Sequence, residues 1–61
     1  VMSAVYNPEA DIMAEIERLE VESRDIRKRI EHARTDVDKR VLNKQLEEIR
    51  TQIDVLRSKL P

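Results

Sequence analysis

Apolar residues recur along most of the chain at the spacing of an α-helix, in two runs that mirror each other about Asp36. Intervals of three, four and seven residues place side chains on one face of a helix. If the chain folds back at Asp36, the two runs meet residue by residue and form one apolar seam. The facing pairs are Ile30 with Leu42, Ile26 with Leu46, Leu19 with Ile53, Ile16 with Leu56 and Ile12 with Leu60, and Ser23 faces Ile49 as a weak layer.

The first helix is predicted to begin at Asn7-Pro8-Glu9, after an extended lead-in that covers residues 1–7. Asn is a good N-cap because its side-chain oxygen accepts hydrogen bonds from unpaired backbone N–H groups. Pro suits the first helical position, where its missing N–H costs nothing. No glycine or proline interrupts the apolar pattern that follows. We therefore expect a helix from about residue 8 to about residue 34.

The apolar register breaks at about residues 34–38, where its continuation would place Arg40 and Lys44 in the seam. Thr35 followed by Asp38 has the spacing of a capping box, with Asp in place of Glu. We therefore predict a turn there and a second helix from about residue 36 to about residue 60. Because the chain has no glycine, we expect Arg34, Thr35 or Asp36 to adopt the left-handed conformation that often ends a helix before a tight turn.

Charged residues favour a hairpin over a continuous helix that dimerises in parallel. In the parallel dimer Glu15 would lie against Glu20 of the other chain, which is repulsive. In the antiparallel hairpin Glu20 should meet Arg50, and Glu15 should meet Lys59. The predicted fold is therefore all-α, a two-helix antiparallel coiled-coil hairpin, and the continuous coiled coil is the alternative.

Length and composition restrict the functions that are open to the chain. Its 61 residues make one small domain, and we expect residues 8–61 to be a fragment of a longer protein. Twelve basic and thirteen acidic residues nearly cancel, so nucleic acid is not an expected partner. No apolar run approaches the roughly 20 residues that span a bilayer. With no cysteine and no secretory signal, we expect an intracellular, cytoplasmic protein.

We expect no catalytic residue, cofactor or metal ion. Catalytic carboxylates need a pocket that excludes water, and a two-helix hairpin has no interior of that size. His32 with Asp36 has the spacing of a weak cation site, but a surface histidine near a helix end is the simpler interpretation. The basic run Arg27-Lys28-Arg29 is interpreted as a solvated face rather than a site for an acidic partner or lipid headgroups.

The informative apolar residues lie outside the seam. Val21, Val41, Val55 and Met13 have no partner in the hairpin pattern. Near the turn, an apolar group with a polar rim could form a docking surface or could simply close the end of the hairpin. This group consists of Ile30, Ala33, Val37, Val41 and Leu42, with Arg34 and Gln45 at its rim.

Ile26-xxx-Ile30-xx-Ala33-Arg34, followed by Leu42-xxx-Leu46-xx-Ile49-xxx-Ile53, resembles the Rab-binding hairpin of rabenosyn-type endosomal tethering proteins. The turn here is shorter than in that family, and Arg29 stands where the family often has an aromatic residue. The resemblance implies binding of a GTP-bound Rab-family GTPase at a peripheral endosomal membrane. The resemblance and the apolar group near the turn together identify the candidate partner-binding residues. These are Ile26, Ile30, Ala33, Arg34, Val37, Val41, Leu42, Gln45 and Leu46. The alternative function is self-association as a scaffold, through a four-helix bundle or a continuous coiled coil.

Overall fold

The computed structural model describes residues 7–61, which form two α-helices and no strand. Helix α1 spans Pro8–His32 and helix α2 spans Asp36–Ser58. The helices pack against each other, so the predicted all-α antiparallel hairpin is confirmed and the continuous helix is wrong. Of the predicted lead-in, residues 1–6 lie outside the described residues.

Helix α1 begins as its sequence predicts. The Asn7 Oδ1 atom accepts hydrogen bonds from the backbone N–H groups of Glu9, at 3.1 Å, and Ala10, at 3.4 Å. Pro8 occupies the first helical position, and Glu9 and Asp11 carry negative charge in the first turn. Acidic side chains there are favourable because the N-terminal end of a helix carries a partial positive charge.

The turn is built from extended residues, and the predicted left-handed residue is wrong. Helix α1 ends at His32, two residues before the expected boundary, and Ala33 is extended, with φ −68° and ψ 132°. Thr35 is also extended, with φ −122° and ψ 155°. No residue in the described range 7–61 has a positive φ. Extension on both sides of Arg34 lets the chain reverse without strain, so the absence of glycine carries no cost.

Thr35 starts the second helix. Its Oγ1 atom accepts a hydrogen bond from the backbone N–H of Asp38 at 3.1 Å, which confirms it as the predicted N-cap. Helix α2 ends at Ser58, slightly earlier than expected, and Lys59 is its C-cap. Leu60 follows the helix and still packs against the core.

The predicted seam is the core of the hairpin. Its most buried members come from the middle of both helices and its partly buried members from the two ends, as expected for two rods in contact along one stripe. The buried residues are Ile16, Leu19, Ile26, Leu46, Ile49 and Ile53, and the partly buried ones are Ile12, Ile30, Leu42, Leu56 and Leu60. Full burial of one such side chain contributes about 1.5–3 kcal/mol.

Ser23 occupies the weak layer of the seam without leaving its hydroxyl unpaired. It is only 4% exposed. Its Oγ–H donates to the backbone carbonyl of Glu20 at 3.0 Å, and the same oxygen accepts from Arg27 Nη2 at 3.0 Å. The buried polar atom is therefore satisfied, which avoids the penalty of an unpaired hydroxyl.

The two predicted ion pairs between the helices are wrong in their partners. Glu20 pairs with Arg57 at 2.7 Å rather than with Arg50. Side chains lean toward the N-terminus of their own helix. In this antiparallel pair, Glu20 therefore leans toward the open end of the hairpin, which is the end opposite the turn, while Arg57 leans toward the turn. Their side chains converge, whereas the side chain of Arg50 leans away from Glu20.

The expected Glu15–Lys59 pair is also not formed. Glu15 is held by Arg18 of its own helix, whose Nε donates to Oε2 at 3.2 Å and whose Nη2 contacts Oε1. Lys59 is the C-cap of α2 and makes no ion pair within the described residues.

Candidate functional site

The seam is bordered by two different sides of the hairpin. We call one side the arginine flank, a groove that includes Glu20, Arg24, Arg27, Arg50 and Arg57. We call the other side the valine flank, which carries Val41, Glu48 and Val55 of α2 next to Arg18, Glu22 and Arg29 of α1. The predicted docking surface near the turn lies on the valine flank.

At the turn end of the valine flank, a shallow groove is lined by Arg29, Ala33, Asp38, Val41 and Leu42. Ala33 and Leu42 are partly buried, while Val41 is 52% exposed. This groove brings together Ala33, Val41 and Leu42 from the predicted set. An apolar surface is thus open to solvent beside the seam.

The other predicted residues have different positions. Ile26 and Leu46 are each only 5% exposed and belong to the core, so little of either side chain is open to a partner. Ile30 is partly buried against that core. Arg34, Val37 and Gln45 are exposed, and Val37 is the most open of the large apolar side chains in residues 7–61, at 67%.

Arg29 and Asp38 line the turn-end groove, although neither was in the predicted set. Arg29 Nη2 is 3.0 Å from Asp25 Oδ2, so its guanidinium is held along α1. Asp38 makes no ion pair within the described residues. Both residues occupy heptad positions that border the apolar seam on the same side of the hairpin. That heptad position was the sequence signal that could have identified them.

At the open end of the valine flank, Arg18 holds two carboxylates of its own helix. It contacts Glu15 and lies 3.7 Å from Glu22. The hydrogen bond from Arg18, helped by its charge and opposed by slight desolvation, lowers the pKa of Glu15. The hydrogen bond from Glu15 and the charges of Glu15 and Glu22 raise the pKa of Arg18, against slight desolvation.

On the arginine flank, the Glu20–Arg57 ion pair joins the two helices, and Arg27 donates to Ser23 within α1. Arg24 and Arg50 make no ion pair with any described carboxylate. The groove is open and mainly polar, and its arginine side chains are exposed.

The described residues offer neither a metal site nor a membrane-spanning helix. Residues 7–61 contain no group of three or more His, Cys, Asp or Glu side chains that could hold a metal ion. His32 and Asp36, the weak cation candidates, are both exposed. Neither α1 nor α2 is long and apolar enough to cross a membrane.

Among these grooves, the one at the turn brings together the largest number of predicted residues, which are Ala33, Val41 and Leu42. Comparisons of the chain with protein-family models, with curated proteins and with solved structures found no match.

Proposed function

We propose that the hairpin is a non-catalytic protein-interaction module that docks on a folded partner through its turn-end patch. The turn-end patch consists of Ala33, Val37, Val41 and Leu42. The observation that carries the proposal is the position of Val41, which is 52% exposed and borders a groove with Ala33 and Leu42.

The exposure of these side chains supports docking over simple closure of the hairpin end. Val37 and Val41 are 67% and 52% exposed, so neither contributes much to the core. Moving one such side chain from water into an interface contributes about 1.5–3 kcal/mol. Arg29 and Asp38 at the edge of the groove supply polar groups that could orient a partner.

For the partner, we propose a Rab-family small GTPase in its GTP-bound state, which would place the protein on endosomal membranes. The support is the resemblance of the Ile26–Arg34 and Leu42–Ile53 patterns to rabenosyn-type hairpins. The switch regions of such GTPases are ordered only while the γ-phosphate is bound. Preference for GTP would therefore come from the partner.

The test is binding of the hairpin to purified Rab-family GTPases, each loaded with GDP or with a non-hydrolysable GTP analogue. We expect binding to a GTP-analogue form and loss of that binding in Val41→Asp, with unchanged helicity and melting temperature. Val21→Asp is the matched control, because Val21 is 58% exposed and lies on the far side of α1. Unfolding of Val41→Asp would place Val41 in the core and contradict the docking patch.

The second candidate function is self-association of two hairpins into a four-helix bundle that serves as a scaffold. It is favoured by Val21 and Val55, which are 58% and 51% exposed and which a bundle could bury. Light scattering on a sizing column over a concentration range separates the two functions. A compact monomer agrees with the interaction module, and a compact dimer would replace it with self-association.

A further inference from the structure

Helix α2 carries a second exposed valine on the same face as Val41. Val41, Glu48 and Val55 follow one another at intervals of seven residues, which is two helical turns. The three side chains therefore form a straight stripe, with the valines about 21 Å apart at 1.5 Å of rise per residue. Val41 and Val55 are almost equally exposed, at 52% and 51%.

Each valine borders its own groove, and a third groove lies between them. Val55 lies with Leu19, Gln52 and Leu56 at the open end. The middle groove also includes Leu19 and Gln52, so these two grooves are continuous. Gln45 lines the turnward part of the middle groove and lies one helical turn from Leu42, which lines the turn-end groove. The turn-end groove shares no lining residue with the middle groove, so the valine flank carries a row of neighbouring depressions parallel to the helices.

The middle groove is more polar than the grooves at Val41 and Val55. Leu19, Ile26 and Ile49 lie beneath it and are each less than about a tenth exposed. Its accessible lining consists of the neutral Gln45 and Gln52 and the charged Arg18, Glu22 and Glu48. On this flank no ion pair between α1 and α2 is formed within residues 7–61, in contrast to the Glu20–Arg57 pair on the other flank. A partner on the valine flank therefore need not break an ion pair between the helices.

Glu48, between the two valines, specifies the charge of the occupant. It makes no ion pair with any residue in the described range. The only basic side chain at the middle groove, Arg18, already holds Glu15 and Glu22. An incoming cation would therefore find a carboxylate without a partner at the centre of the stripe.

A second copy of this chain fits the stripe poorly. If two α2 helices pair along it in antiparallel register, Val41 meets Val55 and Glu48 meets Glu48 of the other copy. Parallel pairing in register also brings the two Glu48 carboxylates together. Like charges that face each other are destabilising, so the stripe disfavours its own copy.

We propose that the valine flank binds one helix of a different protein, laid along the hairpin. That helix carries apolar residues two heptads apart for the grooves at Val41 and Val55, and a Lys or Arg midway for Glu48. An amphipathic helix in an apolar groove is a common mode of peptide recognition. This inference rests on the proposed function and extends its surface from the turn to the open end.

The test uses two synthetic helical peptides with leucines spaced two heptads apart, which differ only in having Lys or Glu midway between them. Calorimetry should show that the wild-type hairpin binds the Lys peptide at least about threefold more tightly than the Glu peptide. Exchanging an attractive charge pair for a repulsive one has an effect of that order. Glu48→Lys should reverse the preference. Val55→Asp should weaken binding by about tenfold or more, because an apolar contact is lost, and Val21→Asp should leave it unchanged.

Several outcomes would overturn the proposal. Equal affinity for the two peptides in both wild type and Glu48→Lys would remove the role of Glu48, and no binding of either peptide would remove the helix site. A wild-type dimer that Val55→Asp dissociates would assign the flank to a second copy. Loss of binding in Val41→Asp but not in Val55→Asp would confine docking to the turn end. That last result would leave the proposed function intact, and the GTPase panel tests that function separately.

Discussion

The arginine flank and the valine flank border the same apolar seam but differ in the side chains that lie beside it. On the arginine flank, Arg57 reaches across the hairpin to Glu20 at 2.7 Å. On the valine flank, neutral Gln45 and Gln52 stand beside the seam, and Val41 and Val55 remain about half exposed. One flank is joined across the helices by charge, and the other leaves apolar surface accessible.

Under the proposed function, this difference separates the surface that stabilises the fold from the surface that binds a partner. The seam supplies most of the favourable burial, and both flanks depend on it. Ion pairs between exposed side chains add little to stability, so the arginine flank contributes much less to the fold than the seam does. Because the valine flank has no such pair across it within residues 7–61, a partner there need not break one.

The largest effect is expected when the shared seam is damaged. Leu19 is 3% exposed, and Leu19→Ala should lower the free energy of unfolding by about 2–5 kcal/mol, because buried contacts are lost and a cavity remains. Urea unfolding followed by circular dichroism measures the change. Val21→Ala, at an exposed site on the same helix, should change it by less than about 0.5 kcal/mol. Equal losses in the two variants would contradict the burial of the seam.

The next largest effect on stability is expected at the turn, which connects the two helices and thereby positions both flanks. Thr35→Ala should cost about 1 kcal/mol of stability, because the backbone N–H of Asp38 loses its side-chain acceptor. Thermal unfolding monitors the change. Thr35→Ser keeps a hydroxyl at the same place and should retain most of the stability. A Ser variant as unstable as the Ala variant would show that the hydroxyl is not what matters.

A smaller effect distinguishes the observed ion pair from the one that the sequence suggested. A double-mutant cycle of Glu20→Gln with Arg57→Gln should give a coupling of about 0.2–1 kcal/mol, as for other exposed pairs. The same cycle of Glu20→Gln with Arg50→Gln should give a coupling near zero. A larger coupling with Arg50 would contradict the Glu20–Arg57 pair and favour the Glu20–Arg50 pair that the sequence suggested.

The smallest effect is a pH dependence on the valine flank. The hydrogen bond from Arg18 lowers the pKa of Glu15, so the folded state favours the ionised carboxylate. The resulting stabilisation is present above the ordinary pKa of Glu15 and is lost as the pH falls through its lowered value. In Arg18→Gln, the pKa of Glu15 should rise, which a carboxyl NMR titration measures. An unchanged pKa would show that Arg18 is not the cause.

Local features of the fold were predictable because their causes lie close together in the sequence. The caps at Asn7 and Thr35 each act within three residues, and both are confirmed. The end of α1 was less predictable. The expected left-handed residue is replaced by extended backbone at Ala33 and Thr35, a choice that depends on how the second helix is placed after the turn.

The candidate site was predictable in part. The sequence identified Ala33, Val41 and Leu42 as neighbours near the turn, and they share one groove. It also included Ile26 and Leu46, which the structure buries in the core. A pattern of apolar residues indicates which side chains avoid water, but it does not separate those covered by the opposite helix from those at the edge.

By itself, the sequence determined that the chain forms two helices, where each begins and which stripe of each is apolar, because the helical period and the caps are local properties. The tertiary structure alone decided that Glu20 meets Arg57 rather than Arg50, and that Val41 near the turn stays about half exposed rather than closing the end of the hairpin. These outcomes depend on the relative position of two helices and on the direction in which their side chains lean.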